Sequence, residues 1–509
     1  MKKNYFTSEK NIIRLFVLYA ILLSSIQFIY NRSIWGDEAL LGLNIIHRSA
    51  LDVLKPLDYA QVAPPLFLLA EKMFSTLIPN SEYGLRLFPL LSYWGALLFF
   101  VLIVRKQEHG RLYIAMALAF FVSSHTFLRY SSEVKQYMTD AFSLLGIFWL
   151  VLREYRSERA RVCWLCAGGV VAVFLTNVSP IILGTSGIYL CYKAAAGRER
   201  GFGRLMIVFT VWALAFAAYY TAFVHGHPLK GFMTEWWAEN HGFLCLNPFD
   251  PSFRTTTGFI LNSMFSVCFE MVIHAAKSHL VFMTILCELY LLGVIWMINR
   301  KRFDCLILWC LPLVLHLALS AIHLYPFRAR LVLYTFPGMM MVCALGIRYI
   351  AERSKAGKWI CVIPVLMLVL YTVRNFPIDF RDFKSAISYM EKTEVAKNIN
   401  VYISKDYLCT YRYYKDIGAI SERINIINSQ DIEYEHIKGI PLTWLKRNKK
   451  DDDVVNSVKD CKGRNWFLLF TPKQLWHAAF KHTLDSLGYK QLDEYNTSGA
   501  WVLLYDCGE

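Results

Sequence analysis

Long apolar runs separated by short polar connections dominate the first three quarters of the chain. A bilayer span needs about 20 mostly apolar residues. Runs of that order fall at 12–30, 84–104, 112–128, 137–152, 162–177, 180–193, 205–223, 279–298, 305–322, 331–349 and 358–374. The pattern predicts a polytopic α-helical membrane protein with about 11 transmembrane helices. Two connections are long and half-apolar without forming a span: 31–83, broken by Pro64, Pro65 and Pro79, and 224–278, which carries Trp236, Trp237, Phe243 and Phe249. Both read as interfacial helices that lie on a membrane. After residue 374 the apolar runs shorten to strand length at 400–404, 424–427, 466–470 and 501–505, with helical patterns at 381–392 and 473–487. The expected organisation is a membrane domain over 1–374 and a small α/β domain over 375–509, which is long enough to bury a core of its own. The 449–453 stretch reads as a solvated loop.

Composition changes the picture in one respect. The 509 residues include 54 Lys+Arg against 39 Asp+Glu, a formal net charge of +15, in a chain that is 56% apolar. A basic surplus can signal a nucleic-acid partner, but nucleic-acid binders do not carry repeated runs of spanning length. The basic residues instead recur in every second connection: Lys2, Lys3, Lys10 and Arg14, then Arg105, Lys106 and Arg111, then Arg153, Arg156, Arg159 and Arg161. They continue with Lys193, Arg198, Arg200 and Arg204, then Arg300, Lys301 and Arg302, and finally Arg348, Arg353, Lys355 and Lys358. Positive connections stay cytoplasmic. The N-terminus is therefore expected inside and the C-terminal domain outside, with membrane lipids and no nucleic acid as partners. The first apolar run lacks a small-residue cleavage pattern and reads as an uncleaved span.

Thirteen cysteines, an odd number, exclude a fully paired framework. Most lie in apolar runs, where cysteine acts as a small hydrophobe. Cys163 and Cys166 form a CxxC inside a hydrophobic segment with no second pair at metal-ligand spacing, which argues against a zinc or redox site. Cys409, Cys461 and Cys507 fall in the C-terminal domain, where a disulfide can form but cannot be paired from sequence.

Three segments carry candidate chemistry. In Ser33-Ile34-Trp35-Gly36-Asp37-Glu38, directly after the first run, adjacent carboxylates at an interface are costly unless hydrated, paired or used. In residues 129–140, Glu133, Tyr137 and Asp140 stand at i, i+4 and i+7, so a helix there would show them on one face, with Lys135 and Gln136 on another. Such a stripe entering a membrane suits a wet cavity, or an ion pair stapling two spans. In His323-Leu324-Tyr325-Pro326-Phe327-Arg328-Ala329-Arg330, guanidinium groups can snorkel to headgroups or grip phosphate bidentately. Glu288 and His316 sit mid-run and read as neutral groups hydrogen-bonded between helices. Asp37 and Asp140 could share a divalent cation, although spacing does not show that they converge.

With these motifs in order along residues 10–350, the sequence resembles the polyprenyl-phosphate-sugar-dependent glycosyltransferases of the C-type fold. These are the family 39-like enzymes akin to protein O-mannosyltransferases and the lipid A aminoarabinose transferase. The resemblance rests on Trp35-Gly36-Asp37-Glu38, Tyr59-Ala60-Gln61-Val62-Ala63-Pro64-Pro65, Arg86-Leu87, residues 129–137, and Tyr325-Pro326-Phe327 with Arg330. It departs where the aminoarabinose transferase has a lysine before its paired prolines and this chain has Ala63. The resemblance implies a bacterial inner-membrane enzyme that moves a sugar from a polyprenyl-phosphate donor to a glycan, lipid or protein hydroxyl at the outer face. It casts Asp37 as general base or as the acceptor that orients the hydroxyl, with Glu38 sharing that role or holding the loop. Arg330, with Lys135 or Arg328, would meet the leaving phosphate. Glu133, Tyr137, Asp140, Gln61, Arg86 and Tyr325 would line the donor or substrate site. A transporter of lipid-linked sugars would use similar residues but should show matched halves with broken helices, and no repeat is evident. An O-antigen polymerase or ligase would be expected to place its chemistry in a large late loop.

Overall fold

A computed structural model describes residues 9–79, 81–107, 110–197, 202–247, 249, 253, 279–360, 362–394, 398–427, 435–437, 440–442, 458–459, 461–470 and 474–508. Most of connection 224–278, and the 449–453 stretch, lie outside these residues. The apolar runs fold as helices, which satisfy their own backbone groups within one segment. In order they begin α1 (Glu9–Tyr30), α2 (Gly36–His47), α3 (Pro65–Leu77), α4 (Glu82–Lys106), α5 (Arg111–Val122), α6 (His125–Tyr130), α7 (Tyr137–Leu152), α8 (Glu158–Leu175), α9 (Ser179–Ala195), α10 (Phe202–Tyr219) and α11 (Lys230–Glu239). Helices His279–Asn299, Phe303–Ala321, Phe336–Arg353 and Val362–Arg374 follow. Among the described residues, Glu9–Tyr30, Glu82–Lys106, Gly203–Val224, Phe303–Ala321 and Arg330–Arg353 are long and apolar enough to cross a membrane. Shorter apolar helices accompany them.

Two expectations are corrected by local chemistry. The run 112–128 is not one helix: α5 stops at Val122, and the Ser124 hydroxyl accepts from the Phe127 amide (3.2 Å) to start α6. A serine cap of this kind competes with helix continuation. The Ser123 carbonyl at the break accepts from the Thr372 hydroxyl (2.7 Å). The predicted Glu133-Tyr137-Asp140 helical stripe does not exist as such, because residues 131–136 form turns and α7 begins only at Tyr137.

The chain divides into two compact units. The first holds Met1–Ile29, Ala63–Ala70 and Arg86–Phe376. Its helices His279–Asn299 and Phe336–Arg353 approach backbone to backbone: a Cβ at Gly293 would strike the Val342 carbonyl, and one at Gly346 the Leu289 carbonyl. Small residues permit this closeness where packing, not water exclusion, drives helix association.

The second unit holds Tyr30–Val62, Glu71–Leu85 and Pro377–Glu509. Its five-stranded sheet runs in the order β2-β1-β5-β7-β6, with β1 (Ile399–Ile403), β2 (Ile424–Ile426), β5 (Arg464–Phe470), β6 (Lys490–Thr497) and β7 (Ala500–Asp506). A separate ladder pairs β3 (Glu435–Ile437) with β4 (Ile440–Leu442). Strands β1, β2 and β5 are parallel, while β5, β7 and β6 are antiparallel. Phe480 and Leu484 of helix Gln474–Ser486 close one face over Tyr402, Phe467, Leu469, Trp501 and Leu503. Helix Phe383–Thr393 meets β6 and β7, with Tyr389 stacked on Tyr495.

Candidate active site

In the second unit, the chain leaves α1 through Asn31 in the left-handed region (φ 47°) and re-enters helix at Gly36. Trp35 is the N-cap, which puts Asp37 and Glu38 in the first turn, where the helix dipole favours anions. Glu38, three residues past the cap, reaches back to accept from the Trp35 amide (3.4 Å), half of a capping box. The two carboxylates are then treated differently. Asp37 is partly exposed. Glu38 is fully buried and accepts from Arg32 Nη1 at 2.8 Å, with both side chains 0% exposed. Arg32 also donates to the Ser33 carbonyl (2.9 Å) and lies 4.4 Å from the Phe380 ring centroid.

Further clamps hold this loop. The Ser33 hydroxyl donates to Asp382 (3.2 Å) and accepts from the Lys384 amide (3.0 Å). The Ile34 amide donates to the Tyr414 hydroxyl (2.8 Å), which donates to Glu82 (2.8 Å), and Lys384 pairs with Glu82 (3.0 Å). Helix α2 packs on helix Lys405–Asp416, with Gly42 against Tyr413. Asn44 on α2 bonds the Asp58 amide and carbonyl. That fixes the approach to Tyr59 and Ala60, two consecutive non-glycine residues with positive φ (60° and 52°). Strained residues of this kind persist only where their surroundings over-determine them, and they cluster at functional sites. Gln61 follows, buried, donating to the Tyr59 carbonyl (3.2 Å).

Sequence reasoning missed Glu71. It is 0% exposed on α3, and neither carboxyl oxygen has a hydrogen-bond partner among the described residues. Burial first, then the charge of Glu38, pushes its carboxyl well above the usual carboxylate range. Its signal was a lone acid in an otherwise apolar stretch. Arg32, Asp382 and Tyr414 carried no such signal, since they act only once distant chain segments meet.

In the first unit, Arg129 pairs with buried Glu133 at 2.9 Å. Lys135 and Arg86 are buried, the latter in the second turn of α4. Asp140, buried on α7, accepts from the Thr176 hydroxyl at the end of α8. Tyr137 packs edge-on to Tyr130, and the Arg330 guanidinium lies 6.0 Å from its ring centroid. His316, read from sequence as a neutral group hydrogen-bonded between helices, is hydrogen-bonded on both ring nitrogens and organises a motif. A neutral ring fits both bonds, with Nδ1 accepting from the Tyr334 hydroxyl and Nε2 donating to the Pro326 carbonyl, each at 3.0 Å. The ring meets Tyr325 and Phe327 edge-on. Glu288, by contrast, is exposed on its helix, and the expected burial between helices is not seen.

The segment after the motif is pinned by connection 224–278: Arg328 Nη2 donates to the Asn240 carbonyl (2.8 Å), and the Phe327 amide to the Gly242 carbonyl (2.7 Å). Burial, then the neighbouring Arg330, pushes the Arg328 guanidinium below its usual value. Two like charges are thus held on one turn. Among the described residues, no group of three or more His, Cys, Asp or Glu is placed to hold a metal ion.

These observations define a polytopic helical protein with apolar, span-like helices and a small C-terminal mixed sheet. Its fold is similar to that of ArnT. ArnT from Cupriavidus metallidurans bound to undecaprenyl phosphate is similar over 97% of this chain and 97% of its own, with a TM-score of 0.51 at 11% identity. The apo state of the same protein aligns over 96% and 97%, with a TM-score of 0.49 at 10% identity. No family model matches the sequence, and no curated protein matches it.

Proposed function

We propose that this protein is a membrane glycosyltransferase that moves a sugar from a polyprenyl-phosphate donor to an acceptor hydroxyl of a glycan, lipid or protein. In this reading the 1–374 part, with about 11 spans, forms the transferase domain and the 375–509 part lies outside the cytoplasmic membrane. The observation that carries it is the turn that holds Arg328 next to Arg330, with Arg330 over the Tyr137 ring, in a fold similar to that of a protein bound to undecaprenyl phosphate. Asp37, partly exposed at a helix N-terminus, accepts the acceptor's proton as the hydroxyl oxygen attacks the anomeric carbon. The anomeric carbon–oxygen bond breaks, and the polyprenyl phosphate leaves with one more negative charge. Arg330, with Arg328 or Lys135, neutralises it. Glu38, locked to Arg32, holds the loop. Gln61, Arg86, Glu133, Tyr137, Asp140 and Tyr325 shape the donor and substrate site.

The test is transfer in membranes supplied with labelled polyprenyl-phosphate sugar. Asp37→Asn should lower turnover by about 10²–10⁴-fold with expression intact, the range a positioned general base contributes. Arg330→Ala should weaken apparent donor affinity by about 10- to 100-fold, from loss of a charge-assisted bond of roughly 1.5–3 kcal/mol. Retained activity in the first variant removes Asp37 from the reaction, and unchanged donor affinity in the second moves the phosphate site.

A further inference from the structure

Three cysteines lie in the 375–509 segment, and the side chains of two of them, Cys461 and Cys507, meet. Cys461 precedes β5 and Cys507 follows β7, the two strands being antiparallel neighbours with Arg464 opposite Asp506. Beyond that pair the ladder continues: the Cys507 amide donates to the Gly463 carbonyl (2.8 Å), and the Gly463 amide to the Gly508 carbonyl (2.6 Å). Gly463 (φ 66°) turns the preceding chain back toward the sheet, and Asn465 Nδ2 ties that turn through the Lys462 and Gly463 carbonyls (3.0 and 3.2 Å). Both cysteines are half-buried against the same cluster of Tyr402, Phe467, Trp501 and Tyr505. Cys409 lies instead on helix Lys405–Asp416.

We propose that Cys461 and Cys507 form a disulfide in the mature protein, joining the segment before β5 to the residue that follows β7. This rests on the reading that the C-terminal segment lies outside the cytoplasm, where disulfides persist. The side chains are within hydrogen-bond reach. The Cys461 thiol, and then Asn465, lower the pKa of Cys507 below the usual thiol range against the effect of burial. A lowered thiol is the attacking group in exchange. The oxidant is a disulfide-bearing thiol oxidoreductase of the cell envelope. The Cys507 thiolate attacks one sulfur of its disulfide and releases the other as a thiolate. Cys461 then displaces the second. Two electrons and the two cysteine protons pass to the donor, which ends as a dithiol.

The experiment takes full-length protein from cells with an oxidising envelope, blocks free thiols with an alkylating agent in denaturant, and digests it without reduction. The expected result is one cross-linked peptide pair spanning Cys461 and Cys507, two hydrogens lighter than the separate peptides. Reduction should separate it, and it should be absent from Cys461→Ser and Cys507→Ser. In parallel, exposed Lys490 is replaced (Lys490→Cys) and labelled in intact cells with a membrane-impermeant maleimide. Both native thiols alkylated while residue 490 labels from outside overturns the disulfide alone. Both alkylated with residue 490 protected overturns it together with the proposed orientation.

Discussion

Glu71 shows how a single buried group couples this fold to pH. Its folded-state pKa stands above the unfolded value, so below the ordinary carboxylate range both states hold the proton and it makes no difference. As pH rises above that range the unfolded chain ionises while the folded one stays protonated, and stability falls by up to about 1.4 kcal/mol per pH unit until the raised folded value is reached. Glu71→Gln keeps the shape without the proton. Thermal unfolding in detergent across pH 5–8 should show this loss in the wild type and a flatter profile in the variant, and identical profiles would mean that Glu71 is ionised in the folded protein. Glu38, buried nearby, has the counter-charge that Glu71 lacks, the Arg32 guanidinium at 2.8 Å. Sequence named Glu38 and Asp37 together. Their different environments, which separate a structural carboxylate from one open to chemistry, came only from folding.

At the scale of elements, one short motif depends on His316, which sequence reading named as a hydrogen-bonded group without linking it to that motif. Tyr325-Pro326-Phe327 has no regular hydrogen-bonding of its own, and His316 supplies a donor to its central carbonyl. Removing that bond leaves the Pro326 carbonyl without it and takes away one of the bonds that hold the turn carrying Arg328 and Arg330, besides those to Asn240 and Gly242. His316→Leu should therefore fold and insert, yet lose donor affinity by several-fold with a smaller change in turnover, read from initial rates at varied donor concentration. Unchanged donor affinity would mean the loop is held without it. The failed helical stripe at 133–140 has the same origin: i, i+4, i+7 spacing is necessary for a shared face, but the 131–136 turns put Glu133 before the helix begins. Strand β6 also went unseen. Its Lys490–Thr497 sequence is polar and alternates half-buried with exposed positions at a sheet edge, so it lacks the apolar run that revealed the strands inside.

At the scale of the molecule, the second unit gathers the loop bearing Asp37 with chain from beyond residue 377. Phe380, Asp382, Lys384 and Tyr414 all hold Arg32, Ser33 or Ile34. The C-terminal segment therefore braces the candidate catalytic loop. A chain ending at Phe376 should still reach the membrane fraction but lose transfer activity, measured with the labelled donor; full activity would show that the loop holds its shape alone. Sequence by itself determined the apolar helices, the change of character near residue 374, the resemblance and the acidic pair, because composition and periodicity are local properties that survive without a fold. Tertiary structure alone decided which carboxylate is buried, where Glu71 sits, what His316 holds and which cysteines meet. Their partners lie from 6 residues away, as for Arg32 and Glu38, to 349 away, as for Ser33 and Asp382, and no local pattern encodes which of them will meet.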